Sequence, residues 1–349
     1  MKQLSWAVVS ALGLLVTASP VPGTPRYNVN NRDEDTVTIA EVTNFRFFAQ
    51  YAGASYCNSE NTPGSTVNCS ENVCPDVTAA GAKVVASFHG HITDIQGFVS
   101  SDDTNKLIVT SIKGSESIRN WIADLSFIAV PCDLVDGCLI HAGFLTAYNE
   151  IEDDMMAALK EAKKANPSYR TVFTGHSLGG AVATVAAANA RNEGYDADLI
   201  TYGSPRVGNQ EFVDFVTNQT GAEYRVTHLD DPVPRLPPII LNYRHTSPEY
   251  WLSSGDANKT DFTTSDIKVC EGFANTDCNG GTGGLDVDAH VFYFEHISGC
   301  GQDGLSFKAR DVTHDMATTE PKDISDEELL ARLEDWVAQD REFSGTLKD

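Results

Sequence analysis

The chain has little positive charge for its length of 349 residues. It carries 25 Lys and Arg against 49 Asp and Glu, a formal net charge of −24. Proteins that bind nucleic acid gain much of their affinity by neutralising phosphates with Lys and Arg. The composition therefore argues against a nucleic-acid partner, and the length allows one large α/β domain or two smaller ones.

Long apolar runs are also missing, apart from one near the N-terminus. A charged start, Met1-Lys2, precedes the apolar run Leu4–Val16 and then the small residues Thr17-Ala18-Ser19. The run is too short to cross a bilayer, so it predicts a secretory signal peptide over residues 1–18 and no transmembrane segment. We therefore expect a secreted, extracellular protein.

The composition changes twice more along the chain. Residues 19–35 carry Pro, Asn and charge without periodicity, which predicts a propeptide or a disordered lead-in. The main domain is expected over residues 36–310. Residues 311–349 hold twelve acidic and four basic residues, a net charge of −8, and form a separate acidic extension.

The cysteine pattern contains no Cys-x-x-Cys pair, so it gives little support to a metal site. Eight cysteines in a secreted chain favour disulfides. Three pairs are close enough in sequence to close small loops, and two cysteines remain to join the start of the domain to its end: Cys69–Cys74, Cys132–Cys138, Cys270–Cys278 and then Cys57–Cys300. Three Asn-x-Ser/Thr sequons suit a glycoprotein but also arise by chance: Asn68, Asn218 and Asn258.

Strand-like and helix-like segments alternate through the middle of the chain. The segments "AKVVASF" and "KLIVTSI" are rich in β-formers, and strands are expected at 171–174, 199–202 and 223–228. Helices are expected after Thr43, before Pro167 and at 209–217. This alternation predicts an α/β protein whose largely parallel central sheet is covered on both faces.

One serine lies at a predicted corner between strand and helix. Ser177 stands between Gly175 and Gly179 in "VFTGHSLGGAVAT", after a β-rich run and before an alanine-rich helix. A sharp turn of this kind crowds the positions two residues away, which favours glycine there. The five-residue pattern also occurs by chance in turns, but this context predicts a nucleophile elbow.

A serine nucleophile needs a histidine to take its proton and an acid to orient that histidine. In α/β-hydrolases both follow the serine in the order acid, then histidine. Asp230 and Asp231 both follow a predicted strand, and their positions alone do not show which one is the acid. Asp-Pro is also a common way to begin a turn, without any catalytic role. Five histidines are candidates for the base: His228, His245, His290, His296 and His314. The aromatic run that follows His290 predicts a strand.

The blocks "VFTGHSLGGAVAT", "YGSPRVGN", "YRVTHLDDPVPRLPP", "YRHTSPEYWL" and "DAHVFYF" resemble the secreted filamentous-fungal class 3 lipases. The resemblance runs from Phe45 to Lys308. It is closest to Fusarium-type secreted lipases, and the chain is also similar to fungal mono- and diacylglycerol lipases. The resemblance implies an α/β-hydrolase fold with a short helical lid and no cofactor.

The resemblance also implies the catalytic residues. Ser177 matches the family nucleophile, Asp231 the acid and His290 the base, which leaves Asp230 as a bystander. Ser115 and the backbone N–H of Leu178 match the oxyanion donors.

The oxyanion motif departs from the family pattern at one position. The family commonly has Phe-Arg-Gly-Ser where this chain has Ile112-Lys113-Gly114-Ser115. Lysine lacks the planar fork of arginine, which puts the tethering of the neighbouring lid in doubt.

Residues 116–128 bear on the substrate. An apolar stripe at helical spacing predicts either an ordinary core-facing helix or a lid, and the resemblance implies the lid: Ile118, Trp121, Ile122 and Leu125. Related feruloyl esterases carry a more polar flap, so the stripe favours an acylglycerol substrate at a lipid–water interface. The alternatives are a feruloyl or other aryl esterase, and a non-catalytic glycoprotein that binds lipid or cell wall. We expect a monomer.

The acidic extension contains a predicted helix. Ser325 and Glu328 form a capping-box pattern, and an apolar stripe follows: Leu329, Leu330, Leu333, Trp336 and Val337. The hypothesis is that this helix covers the lid and acyl groove of the precursor until proteolysis between Phe307 and Ile324 removes it. The alternative is a disordered tail that only aids solubility.

Overall fold

A computed structural model describes residues 36–115, 117–301 and 324–347. The expected signal peptide and lead-in, His314 and most of the expected processing region lie outside these residues. The main sheet has eight strands in the order β1-β2-β3-β6-β7-β8-β9-β10, and β4 and β5 form a separate pair. The strands are β1 (Lys83–His89), β2 (Gln96–Asp102), β3 (Leu107–Ile112), β4 (Ala129–Pro131), β5 (Leu139–His141), β6 (Arg170–His176), β7 (Ala197–Tyr202), β8 (Glu223–His228), β9 (Glu249–Leu252) and β10 (Ile267–Cys270).

Five central strands, β3, β6, β7, β8 and β9, run parallel to one another. The pairs β1–β2, β2–β3 and β9–β10 are antiparallel, at the two edges of the sheet. Strands β3, β7 and β8 are buried along their whole length, as parallel strands covered on both faces must be. The prediction of a largely parallel sheet is confirmed.

The helices form a layer on each face of the sheet. They are α1 (Ile39–Asn58), α2 (Pro75–Ala80), α3 (Ile118–Asp124), α4 (Ala142–Ala165), α5 (Leu178–Asn192), α6 (Gln210–Asn218), α7 (Val287–Val291) and α8 (Asp326–Ser344). One core lies between the sheet and α4, α5 and α6, and the other between the sheet and α1. Neighbouring strand residues alternate between them: Phe173 belongs to the first core and Val172 to the second.

Several element boundaries differ from the predictions. Helix α1 begins at Ile39, because Thr38 caps it in a capping box with Glu41, and Thr43 lies inside the helix. Helix α4 begins at Ala142, before the segment with clear periodicity. The aromatic strand expected after His290 is absent from the described residues: α7 ends at Val291, and only an isolated bridge joins Phe292 to His296.

Four disulfides link the described residues: Cys57–Cys300, Cys69–Cys74, Cys132–Cys138 and Cys270–Cys278. The first bridges 243 residues and holds the end of α1 to the last described part of the main domain. Sulfur atoms of Cys57, Cys69 and Cys300 lie within 4.8 Å of one another, but all three are disulfide-bonded and offer no thiolate to a metal. In the described part of the chain, no helix combines the length and apolar character needed to cross a membrane.

Candidate active site

The parallel strands bring the candidate residues to one edge of the sheet. The residues after β3, β6, β7 and β8 all emerge at the carboxyl ends of parallel neighbours, where α/β proteins form their sites. Ser115 follows β3, Ser177 follows β6, and Asp231 follows β8. The sequence separation of these residues is therefore no obstacle to their acting together.

Ser177 occupies a strained corner. It has φ 57° and ψ −130°, directly between β6 and α5, and such a conformation typically costs about 1–3 kcal/mol in a non-glycine residue. A Cβ at Gly175 would lie 2.8 Å from the backbone nitrogen of Gly180, and one at Gly179 would lie 2.8 Å from the carbonyl carbon of Ile112. Both glycines are required because helix α5 packs directly onto the strands.

Asp231 and His290 form a buried pair. His290 Nδ1 lies 2.9 and 2.8 Å from the two carboxylate oxygens of Asp231, and both side chains are fully buried. The carboxylate also accepts hydrogen bonds from the backbone N–H of Val233 (2.9 Å) and from the hydroxyl of Tyr293 (2.6 Å). The carboxylate thus holds the proton of His290 on Nδ1 and leaves Nε2 as an acceptor.

Tyr293 stays protonated in this environment. Burial, together with the negative charge of Asp231, raises the pKa of Tyr293 well above its usual value. It can therefore only donate to the carboxylate. Its role was not predicted from the sequence, although it lies in the quoted block "DAHVFYF".

The two atoms that would exchange a proton are both unpaired. Among the described residues, Ser177 Oγ and His290 Nε2 are buried side-chain atoms without a hydrogen-bond partner. Leaving a buried polar atom unpaired typically costs about 1–3 kcal/mol. The surrounding fold keeps both atoms in this state instead of satisfying them, which is common for catalytic groups before substrate binds.

His176 supports the backbone of His290. Its ring is fully buried, with Nδ1 2.8 Å from the Tyr56 hydroxyl and Nε2 2.8 Å from the carbonyl oxygen of His290. Burial, and secondarily the proximity of His290, lowers the pKa of His176 well below its usual value, so the ring is neutral. A neutral ring must then donate from Nε2 and accept from Tyr56 at Nδ1. His228 holds the preceding residue, with Nδ1 3.1 Å from the carbonyl oxygen of Ala289.

Gly203 leaves room for the acid–base pair. It follows β7 directly, with φ +57°, and a Cβ there would lie 3.0 Å from Asp231 Oδ2 and 3.0 Å from both Cε1 and Nδ1 of His290. Any side chain would press on both residues. The sequence placed Gly203 in the block "YGSPRVGN" but gave no sign of this contact.

The loop after β3 runs against the serine corner. A Cβ at Gly114 would lie 2.7 Å from the carbonyl oxygen of His176 and 3.2 Å from Ser177 Cβ, so Ser115 follows a residue in direct contact with the corner. Leu178 is the first residue of α5, and its N–H belongs to the unpaired first turn of that helix. Lys113 binds Gln96, with Nζ 3.1 Å from Oε1.

The other candidates are engaged elsewhere. Asp230 lies against the backbone of Gly284, and its carbonyl oxygen accepts from the N–H of Asp286 at 3.2 Å. His245 Nε2 lies 2.6 Å from the carbonyl oxygen of Pro234. His296 stacks on Phe292.

The predicted lid segment contains a short helix, α3, capped by Ser117. It ends at Asp124, so Leu125 follows the helix instead of continuing its stripe. Ile122 is buried, and the ring of Trp121 is parallel to that of Phe144 at 6.5 Å between centroids. The side chain of Ile118 lies outside the described residues. Trp121, Ile122 and Leu125 share an apolar cluster with residues next to the acid–base pair: Val233, Leu236 and Val291.

The sheet order, the strained serine corner and the buried pair are those of an α/β-hydrolase. A family model described as Lipase (class 3) matches residues 109–241. Secreted mono- and diacylglycerol lipase 1 of Fusarium solani is 49% identical over 339 residues, which cover 96% of this chain and 98% of that protein. The chain belongs to the class 3 lipase family.

Solved structures agree with this membership. A crystal structure of mono- and diacylglycerol lipase from Aspergillus oryzae is 44% identical, with a TM-score of 0.71 over 76% of this chain and 99% of its own. A triacylglycerol lipase described as having a serine protease triad for its catalytic centre is 32% identical, with a TM-score of 0.67 over 76% of this chain and 98% of its own.

Proposed function

We propose that this protein hydrolyses the carboxylic esters of acylglycerols through an acyl-enzyme on Ser177. The Ser177 hydroxyl attacks the ester carbonyl while His290 Nε2 takes its proton, and His290 returns that proton to the departing glycerol oxygen. Water then attacks the carbonyl of the acyl-enzyme and gives a proton to His290. His290 passes this proton to Ser177 Oγ as the bond between Oγ and the acyl group breaks, which releases the fatty acid and restores the serine hydroxyl. Asp231 orients the imidazole and stabilises it when it is charged.

Two observations together carry this proposal: Ser177 Oγ and His290 Nε2 are buried without a hydrogen-bond partner, and the Asp231–His290 contact is fully buried. We assign the oxyanion to the backbone N–H of Leu178 and to Ser115, and the loss of one such donor typically costs about 3–4 kcal/mol. A serine protease triad is attributed to a related triacylglycerol lipase, which supports the same assignment here.

The substrate class is inferred from the lid segment and from the relatives. Trp121 and Ile122 face the apolar cluster beside the acid–base pair, where an acyl chain would bind. The relatives are called mono- and diacylglycerol lipases. The direct test compares hydrolysis of triolein and diolein with hydrolysis of methyl ferulate. A preference for the aryl ester would contradict the proposal.

The lid is tested at Trp121. In a chain truncated after Arg310, which lacks α8, we expect activity to rise sharply when a substrate passes from monomers to an emulsion, because an exposed apolar stripe then binds the interface. Trp121→Ser should lower activity on the emulsion more than on a soluble short-chain ester. Ile39→Ser is the matched control, because Ile39 is an exposed apolar residue on α1. Equal losses on both substrates would make Trp121 an ordinary core residue.

We also infer a secreted monomer with a signal peptide over residues 1–18, a lead-in over 19–35 and a processed acidic extension over 311–349. The named relative from Fusarium solani is a secreted protein. All three sequon asparagines, Asn68, Asn218 and Asn258, are exposed and therefore accessible to glycosylation. The proposed chemistry needs no cofactor or metal. Mass spectrometry of the secreted protein, before and after deglycosylation, reports both termini and the sequons used.

A further inference from the structure

Helix α8 packs on the lid segment and on the apolar cluster beside the acid–base pair. Leu329 and Leu333 are fully buried there, in one cluster with Ile122 of the lid helix. Trp336 meets Phe127, just after the lid, in an edge-to-face contact with ring centroids 4.9 Å apart. We call the surface under α8 the capped surface: Ile122, Phe127, Val233, Leu236 and Val291.

Polar contacts hold residues 324–340 on this surface at both ends. At the start, Arg119 of the lid helix donates from Nη2 to the carbonyl oxygen of Ile324 at 2.6 Å. Near the end, Asp340 accepts from Arg206 Nη1 at 2.5 Å and from the backbone N–H of Ile239 at 2.6 Å. Asp340 and Arg206 are each 3% exposed, so this ion pair is buried.

The two faces of α8 are distinct. Of the predicted stripe, Leu330 does not take part, since it is 36% exposed while Leu329 and Leu333 are 0% exposed. Val337 is buried, and the acidic residues Glu327, Glu328, Glu334 and Asp335 face solvent. Most of the stability of a helix in a protein comes from packing its apolar face, so the stability of α8 depends on the surface that it covers.

We propose that α8 is an intramolecular cap that holds the lid segment closed, so that the enzyme cannot bind a lipid interface until α8 leaves. The proposal rests on the proposed lid function. The same apolar side chains of the lid cannot contact α8 and a lipid surface at once. The occupant is a segment of this chain, tethered through residues 302–323, and tethering gives it a high effective concentration at the capped surface.

The buried ion pair makes spontaneous release unfavourable. Lifting α8 away separates Asp340 from Arg206. The buried guanidinium keeps the backbone carbonyls of Arg235 and Pro237 as acceptors but loses the carboxylate that balances its charge. Cutting the tether does not by itself break these contacts. It removes only the effective concentration, so a cut enzyme should become active upon dilution as the α8 peptide dissociates.

The first experiment compares the full chain with a truncation that ends at Arg310, on a triolein emulsion and on a soluble short-chain ester. The Aspergillus oryzae lipase structure aligns over 99% of its own chain with 76% of this one, so a related domain folds without a counterpart to about a quarter of this chain. If α8 occupies the capped surface at least nine-tenths of the time, truncation raises emulsion activity roughly tenfold or more. Activity on the soluble ester should change much less.

The outcomes separate this inference from the proposed function. A truncated enzyme without preference for the emulsion contradicts the lid. If the truncated enzyme prefers the emulsion but the full chain hydrolyses the emulsion equally fast, the cap is contradicted and the lid is not. Equal gains on both substrates would mean that α8 blocks the serine itself and not access to an interface, which also overturns the cap as proposed.

Point variants test the cap within the full chain. Leu333→Asp and Trp336→Asp should raise emulsion activity toward that of the truncation, whereas Leu330→Asp on the exposed face should not. Asp340→Asn should also raise it, with Asp335→Asn as the exposed control. A gain of activity cannot come from misfolding. If the inward-facing variants merely lowered activity on both substrates, α8 would be only a structural element of the domain.

A peptide of residues 324–347 tests the cap in trans. Added to the truncated enzyme, it should inhibit emulsion hydrolysis at high concentration, far less effectively than the tethered helix. The peptide with Leu330→Asp should inhibit equally, and the peptide with Leu333→Asp should not. Equal inhibition by all three peptides would indicate that they coat the emulsion and would overturn the specific contact.

Discussion

Gly203→Ala should damage catalysis while leaving the fold intact. Gly203 lies directly after β7, beside the acid–base pair, and a Cβ there would lie 3.0 Å from Asp231 Oδ2 and from two atoms of the His290 ring. Such contacts are a few tenths of an ångström too close. We therefore expect Asp231 and His290 to be pushed apart or turned, with no loss of charge or hydrogen-bonding groups.

Gly203→Ala should have one effect on stability and another on the reaction rate. An alanine at φ +57° costs roughly 1–2 kcal/mol of backbone strain, which lowers the free energy of unfolding. Misplacing a catalytic group by about 1 Å costs roughly a hundredfold in rate, so a displacement of a few tenths should lower kcat about tenfold or somewhat more. KM should change little, because Gly203 does not belong to the capped surface.

The assay measures kcat, KM and the urea midpoint for Gly203→Ala and for Gly194→Ala. Gly194 has φ +92° and nothing within 4 Å of a Cβ, so it reports the backbone strain alone. We expect a comparable loss of stability in both variants and a loss of kcat only at Gly203. If Gly203→Ala kept normal kcat, or if Gly194→Ala lost as much, the reasoning about the acid–base pair would be refuted.

Three further predictions concern the same site. Asp231→Asn should lower kcat by about 10⁴-fold because it loses the correct tautomer of His290, whereas Asp230→Asn should stay within about twofold; equal losses would sink the assignment. Tyr293→Phe removes a donor to a buried carboxylate, so urea titration should show about 1–3 kcal/mol less stability together with a reduced kcat; an unchanged midpoint would contradict the contact. Burial lowers the pKa of His228 below its usual 6.5, so the unfolded chain binds the proton first as the pH falls. The free energy of unfolding should therefore fall below pH 6.5, by up to about 1.4 kcal/mol per pH unit for this group. Urea midpoints measured at pH 7.5, 6.5 and 5.5 should show a smaller pH dependence in His228→Gln than in the unchanged protein. An equal pH dependence in both would show that His228 does not titrate in this way.

Local patterns predicted the central strands and helices well, because their hydrophobic runs and punctuation agree with their positions. The strand at 199–202 and the helix at 209–217 lie within a residue or two of β7 and α6. The prediction of a strand in the aromatic run after His290 was wrong. Tyr293 and Phe294 are buried against α1 and the sheet by tertiary packing, which a β-rich composition does not distinguish from strand pairing.

The site was less predictable than the sheet. The serine corner has a local signature, since Gly175 and Gly179 report the close packing of a strand against a helix. Tyr293 and Gly203 act through contacts with residues that are distant in sequence, and only the folded chain reveals them. In the tail, helical periodicity indicated Leu333 correctly but could not show that Leu330 points to solvent, because adjacent residues at the edge of a stripe are ambiguous.

Covalent labelling is the most direct test of the proposed nucleophile. An alkyl phosphonate ester should react with the truncated enzyme at a single residue, Ser177, and peptide mass spectrometry should find the adduct there and nowhere else. His290→Ala should slow labelling by several orders of magnitude, because the serine hydroxyl then lacks its base. Labelling at another residue, or labelling of Ser177 at an unchanged rate in His290→Ala, would contradict the proposed nucleophile and its activation.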